Sequence, residues 1–189
     1  MNRDKLLGNS VEHFVQLVAL PKAATPGAGS TSAVVAALAA SLLELVALLA
    51  ERANRQKSLA REVIFEAHAL RLKLLELVED DNEALKNLIN SGYKSIPVEA
   101  LNIPQLIILY SLKVCRLANK ARYLETKTSA GDTLVAGQLA KSAVLAAIEV
   151  LRQNSKKLKD KCEQKQLLQQ ATLWEKELDA IFTTYDLLQ

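Results

Sequence analysis

Apolar residues along this chain recur at steps of three and four, the repeat of an α-helix that buries one face. The pattern is clearest from about Leu59 to Asn90, where Val63, Ala67, Leu70, Leu74, Leu77, Ala84 and Leu88 form one seam. A second seam near the end joins Leu167, Ala171, Trp174, Leu178, Ile181, Tyr185 and Leu188, again in alternating fours and threes. From Thr31 to Ala50 the chain is apolar on every face and rich in alanine, as expected of a helix enclosed by others. A bilayer span is the alternative reading of that length. Glu44, the small Ala and Ser residues and the absence of Trp or Tyr at the ends favour the enclosed helix.

Breaks between the seams complete the outline. Ser10 is suited to cap a short first helix carrying Phe14, Leu17 and Val18, and Pro21 ends it. The stretch Pro21 to Ser30 is the strongest loop signal, and Ser30 is read as the cap of the Ala-rich helix, which should run to about Gln56. Gly92 stops the third helix. Pro97 and Pro104 each mark a helix start, the second opening a helix from about Pro104 to Glu125. Asp132 is read as the N-cap of a helix reaching about Lys159. The expectation is an all-α, single-domain bundle of five to six helices over residues 1–189, built around a long Ala-rich central helix.

Composition narrows this further. With 27 Ala and 35 Leu, about a third of the 189 residues are good helix formers, while aromatics make up 4%. Sandwiches, barrels and disordered chains are excluded. A net charge of +3 is too mild for a nucleic-acid surface, and stacking platforms are scarce. Cys115 and Cys162 lack metal-ligand neighbours and are read as reduced thiols of a cytoplasmic protein. His13 and His68 have no metal spacing, and the lysines between Lys156 and Lys165 are read as a solvated face.

Three polar features interrupt the apolar stripes. Continuing the seam from Leu77 lands on Asp81, so a carboxylate faces the core side while Glu76, Glu79, Asp80 and Glu83 lie elsewhere. Such a group is costly unless paired or protonated. It is either a general acid or base, or a structural Asp bonded to a neighbouring helix terminus. The stripe Asp132, Ala136, Ala140, Ala143, Ala147, Val150 and Asn154 allows close helix approach and ends on an amide that needs partners. The turn Pro26-Gly27-Ala28-Gly29-Ser30 lets backbone N–H groups approach a ligand, but it lacks the lysine of a phosphate loop and any preceding strand.

In this order, these features resemble the cyclodeaminase and methenyltetrahydrofolate cyclohydrolase family. The likeness runs from about Val11 to the end. The family's Pro-Gly-Gly-Gly-Ser turn is matched by Pro26 to Ser30, and its Leu-Ile-Asp-x-Asp-x-x-Ala-Phe stretch by Leu77 to Leu85. Its Ile-Pro is matched by Ile103-Pro104, its Ser-Asp by Gly131-Asp132, and its Asn-Val-x-x-Asn by Val150 to Asn154. The chain departs from the pattern at Ala28, Glu79, Leu85, Gly131 and Val150.

The resemblance implies a cyclodeaminase or cyclohydrolase working on a tetrahydrofolate derivative, without metal or redox cofactor. Asp81 would be catalytic, and Gly27, Gly29, Ser30, Asp132 and Asn154 would bind substrate. By charge alone, Arg52, Arg55 or Lys57 would receive the glutamate tail. The family implies a homodimer; the mild charge and the enclosed reading of residues 31–50 leave neither nucleic acid nor membrane as an expected partner. The competing expectation is a catalytically degenerate relative that binds a folate-like ligand or a protein.

Overall fold

The structure, a computed structural model, describes residues 6–21, 25–92 and 97–186. It contains six α-helices and, among the described residues, no strand: α1 Val11–Ala19, α2 Ala28–Arg52, α3 Lys57–Asn90, α4 Glu99–Ala121, α5 Ala130–Ser155 and α6 Lys161–Asp186. Short 3₁₀ turns stand at Leu6–Gly8 and Arg122–Leu124. The all-α bundle around an Ala-rich central helix is thus what the chain adopts.

Alanine explains the centre. Ala33, Ala36, Ala40 and Ala47 of α2 and Ala136, Ala140 and Ala147 of α5 are fully buried. Small side chains let these helices approach closely while α3 and α4 close round them. The seam read on α3 is buried as expected, from Val63 through Leu74 to Leu88. Helix α6 lays Ala171, Trp174, Leu178 and Phe182 on the bundle. Two ion pairs fasten it: a two-pronged Arg152–Glu175 contact at 2.8 and 2.7 Å, and Arg116–Glu177. Of the last seam, Leu188 and the side chain of Tyr185 lie outside the described residues. Helix α1 buries none of its residues and leaves Val11 and Val15 exposed.

Three helix starts differ from the sequence expectation, and α2 and α5 end about one turn earlier than expected, at Arg52 and Ser155. Helix α2 begins at Ala28 behind Gly27, so Ser30 lies in the first turn and is not the cap. Helix α5 begins behind Ser129, whose hydroxyl accepts the Thr126 N–H at 2.9 Å, so Asp132 is likewise inside the first turn. Helix α4 starts at Glu99 and carries Pro104 within its second turn instead of opening on it. The N-terminal 3₁₀ turn is held by a residue that periodicity did not single out. Glu79 accepts the N–H groups of Leu6 and Leu7 at 3.2 and 2.8 Å.

Helices α2 and α5, and α4 with its 3₁₀ extension, are long and apolar enough to cross a membrane by length and composition. About half of each apolar window is buried inside the bundle. Helix α3, packed along α2, exposes Arg61, Glu62, Lys73, Glu76 and Glu83, charges that a hydrocarbon layer disfavours.

Candidate functional site

Asp81 of α3 meets the N-terminus of α2. Its Oδ2 accepts the backbone N–H of Ser30 at 2.7 Å and the Ser30 hydroxyl at 2.6 Å. An α-helix leaves its first N–H groups without internal partners, and Gly27 has no side chain to cap them. Asp81 therefore caps α2 from another helix, where its negative charge also suits the positive end of the dipole.

The same bonds assign the proton. Oδ2 spends both lone pairs on Ser30, so a proton taken up by this carboxyl resides on Oδ1. Burial pushes the carboxyl above its usual range, and the two Ser30 bonds pull it back only in part. A group that exchanges a proton at one defined atom is the requirement for general acid–base work.

Close approach is possible because residue 29 is glycine. A Cβ there would stand 2.1 Å from Asp81 Oδ1 and 2.6 Å from its Cγ. Residue 28 is different: Ala28 is exposed, and its methyl is accommodated. A Cβ at Gly27 would meet nothing within 4 Å. The departure from Pro-Gly-Gly-Gly-Ser thus falls where a methyl group is harmless.

Asp81 lines a cavity of about 150 Å³ with Gly27, Ala28, Gly29, Leu85 and Asn154. The amide of Asn154 is fixed by an unusual acceptor. Pro104 has no N–H to give the Ala100 carbonyl one helical turn earlier, and Asn154 Nδ2 donates to that carbonyl at 2.7 Å. With Nδ2 so engaged, Asn154 offers Oδ1 as its remaining acceptor. The N–H groups of Ala28 and Gly29 precede Ser30 in the first turn and have no helical partner. The cavity therefore combines two backbone N–H groups, the Asn154 amide and the Asp81 carboxyl on otherwise apolar walls that include Ala84, Leu88 and Val150.

Gly27, Gly29, Ser30, Asp81 and Asn154 are thus brought together, Ser30 through its bonds to Asp81. Asp132 is not. It sits 22 residues from Asn154 on the same helix, about 33 Å along the axis. Arg52, Arg55 and Lys57 are also remote, at the other end of α2, about 37 Å from Gly27. There Arg55 donates to the Glu125 carbonyl at 2.7 Å. The assignment of the glutamate tail to these three residues does not hold within one chain. Sequence reading missed the role of Pro104 in freeing an acceptor, although an Ile-Pro inside a helical pattern is a visible signal. It also missed Asn82, which is buried with its Oδ1 unbonded.

Elsewhere the chemistry is modest. Cys115 is buried, which pushes its thiol up to about 12, and Cys162 is exposed; neither is in a disulfide. His68 Nδ1 lies 3.1 Å from Glu44. Among the described residues no group of three or more His, Cys, Asp or Glu is placed to hold a metal ion.

A family model described as formiminotransferase-cyclodeaminase matches residues 10–173. Comparison with curated proteins finds no match. Solved structures that resemble the chain include formiminotetrahydrofolate cyclodeaminase from Thermotoga maritima, with a TM-score of 0.83 and 24% identity, each chain covered over 93%. At that identity the structural likeness bears on the fold.

Proposed function

The chain belongs to the formiminotransferase-cyclodeaminase family, and on that premise we propose that it is a folate one-carbon enzyme acting at the carbon that bridges N5 and N10 of tetrahydrofolate. The observation that carries the reading is Asp81 itself: Oδ2 is anchored on Ser30, Oδ1 has no hydrogen bond among the described residues, and the residue lines a cavity.

In the deaminating direction, N10 attacks the formimino carbon and yields its proton to Asp81 Oδ1. The carboxyl returns that proton to the departing nitrogen, the carbon–nitrogen bond breaks, and ammonia leaves. The carboxylate then faces the methenyl cation and stabilises it. In the hydrolytic direction, the carboxylate takes a proton from the water that attacks the methenyl carbon and returns it to N5 as the carbon–N5 bond breaks. The new hydroxyl gives its proton to solvent, leaving the 10-formyl group. Neither direction calls for a metal or a redox cofactor. The Ala28 and Gly29 N–H groups suit a ring carbonyl of the pterin, and Asn154 Oδ1 suits a ring N–H.

Ligand pockets ordinarily start near ~300 Å³, so a cavity of about 150 Å³ takes the reacting part of a folate and leaves its remainder outside. A homodimer supplies the missing walls. The exposed apolar residues Val11, Val15, Leu38, Leu45 and Val135 are the surface we assign to it. A second reading rests on Val150, which makes the cavity apolar where the resemblance expects Asn, and on Leu85, which replaces the expected Phe ring. On that reading the chain binds a folate-like ligand or a protein without turnover.

The test supplies 5-formiminotetrahydrofolate and 5,10-methenyltetrahydrofolate separately and follows the methenyl absorbance, with Asp81→Asn alongside. A change catalysed by the native protein alone supports the enzyme. Equal behaviour of both proteins removes Asp81 catalysis. Thermal stabilisation by ligand without turnover selects the binding module.

A further inference from the structure

A second cavity, of about 430 Å³, lies between α3 and α4 on the stretch running from Phe65 to Lys73 and from Tyr110 to Lys120. Four cations reach it: Lys73, Lys113, Arg116 and Lys120. Two are already satisfied, since Arg116 pairs with Glu177 and Lys120 pairs with Glu62 and Glu66 at 2.7 and 3.2 Å. Lys73 and Lys113 have no carboxylate partner among the described residues. Both instead stand over the same ring, 5.2 and 5.7 Å from the centroid of Tyr110.

That arrangement is incomplete by itself. Two ammonium groups drawn to one ring carry like charge and lack a neutralising partner among the described residues. Both line the cavity, so an anionic group seated there would gain charge-assisted contacts. Next to the lysines, Leu70 and Leu117 form an apolar floor, and Phe65 stands 77% exposed at the edge. A cavity of this volume, apolar apart from a few convergent charges, has the character of a small-molecule site.

We infer that the α3–α4 groove binds an aromatic carboxylate, its acid group at Lys73 and Lys113 and its ring against Phe65, Leu70 and Leu117. The ligand needs both parts. A bare anion leaves the floor wet, and a neutral ring leaves the lysines unpaired. The groove is lined by different residues from those around Asp81 and does not depend on the chemistry proposed there.

Titration of the purified protein with 2-naphthoate, using 2-naphthamide and inorganic phosphate as controls, tests this. Naphthoate should bind, with naphthamide and phosphate each at least about tenfold weaker. Lys73→Gln combined with Lys113→Gln should weaken naphthoate about tenfold or more, and Phe65→Ala should weaken it less. These positions are exposed, so an unchanged thermal melt certifies that the variants fold. Asp81→Asn should bind naphthoate like the native protein. No binding, equal binding to the lysine variants, or naphthamide binding as tightly as naphthoate would each overturn the assignment. A change of oligomeric state in Phe65→Ala would also overturn it, by making the groove a contact between copies of the chain.

Discussion

A methyl group on Gly29 would lie 2.1 Å from Oδ1 of Asp81, the oxygen that has no hydrogen bond among the described residues. Glycine at this position sets how far the carboxylate enters the first turn of α2. Gly29→Ala should therefore push Asp81 off Ser30, destabilising the fold by about 1–3 kcal/mol through overpacking. Any turnover should fall towards that of Asp81→Asn. Ala28→Gly, one residue earlier and on an exposed site, should cost no more than about 1 kcal/mol and leave folding intact. Chemical denaturation of the two variants separates these outcomes, and an equal effect of both would remove the special role of residue 29.

The raised pKa of Asp81 makes a prediction about stability with a definite sign. A carboxyl that protonates more readily in the folded state favours folding fully below its unfolded pKa, and that contribution is lost as pH rises through the folded pKa. At neutral pH the ionised, half-buried group is a liability. Asp81→Asn, which keeps an oxygen to accept the Ser30 N–H, should melt higher than the native protein at pH 7. Its advantage should shrink as the pH is lowered towards 4. An advantage that grew on acidification would mean that the Ser30 bonds outweigh burial.

Periodicity carried much of this outline. The α3 seam placed Asp81 on the core side because Leu77 and Ala84 bracket it, and the alanine stripe of α5 led to Asn154 in the same way. The caps were misplaced for a physical reason. Ser30 and Asp132 are residue types that commonly cap, yet Gly27 and Ser129 hold those positions. The side chain that bonds the α2 terminus comes from 51 residues away. Nothing local to residues 26–30 shows that a distant carboxylate caps them. Helix order along the chain also does not say which ends meet. Asp132 and Asn154 share a stripe on α5, but only the C-terminal end of that helix reaches the cavity. Arg52, Arg55 and Lys57 are remote from the cavity within one chain for the same reason.

The small cavity beside Asp81 and the exposed apolar side chains on α1, α2 and α5 lead to one expectation. Leu38 is 54% exposed on the central helix, where a monomer would tolerate a charge with a stability change within about ±0.5 kcal/mol. In a homodimer built on this face, Leu38→Glu combined with Leu45→Glu should convert dimer to monomer in sedimentation velocity and weaken folate binding. Native protein that sediments as a monomer at all concentrations would remove the interface and leave the cavity to act alone.

Pro104 and Asn154 should be coupled in stability, although they do not bond to each other. The Ala100 carbonyl loses its helical donor to the proline and gains Asn154 Nδ2 at 2.7 Å in its place. Asn154→Leu keeps the bulk but orphans that carbonyl, which should cost about 1–3 kcal/mol. In a Pro104→Ala background the restored N–H of residue 104 satisfies Ala100, and the same substitution should cost much less. The Asn154 penalty should therefore differ between the two backgrounds by at least about 0.5 kcal/mol, the range seen for coupled neighbours. Denaturant unfolding of the native protein, both single variants and the double variant measures that term directly. An additive cycle would mean that the Ala100 carbonyl does not need the amide, and that Asn154 is held in the cavity by packing alone.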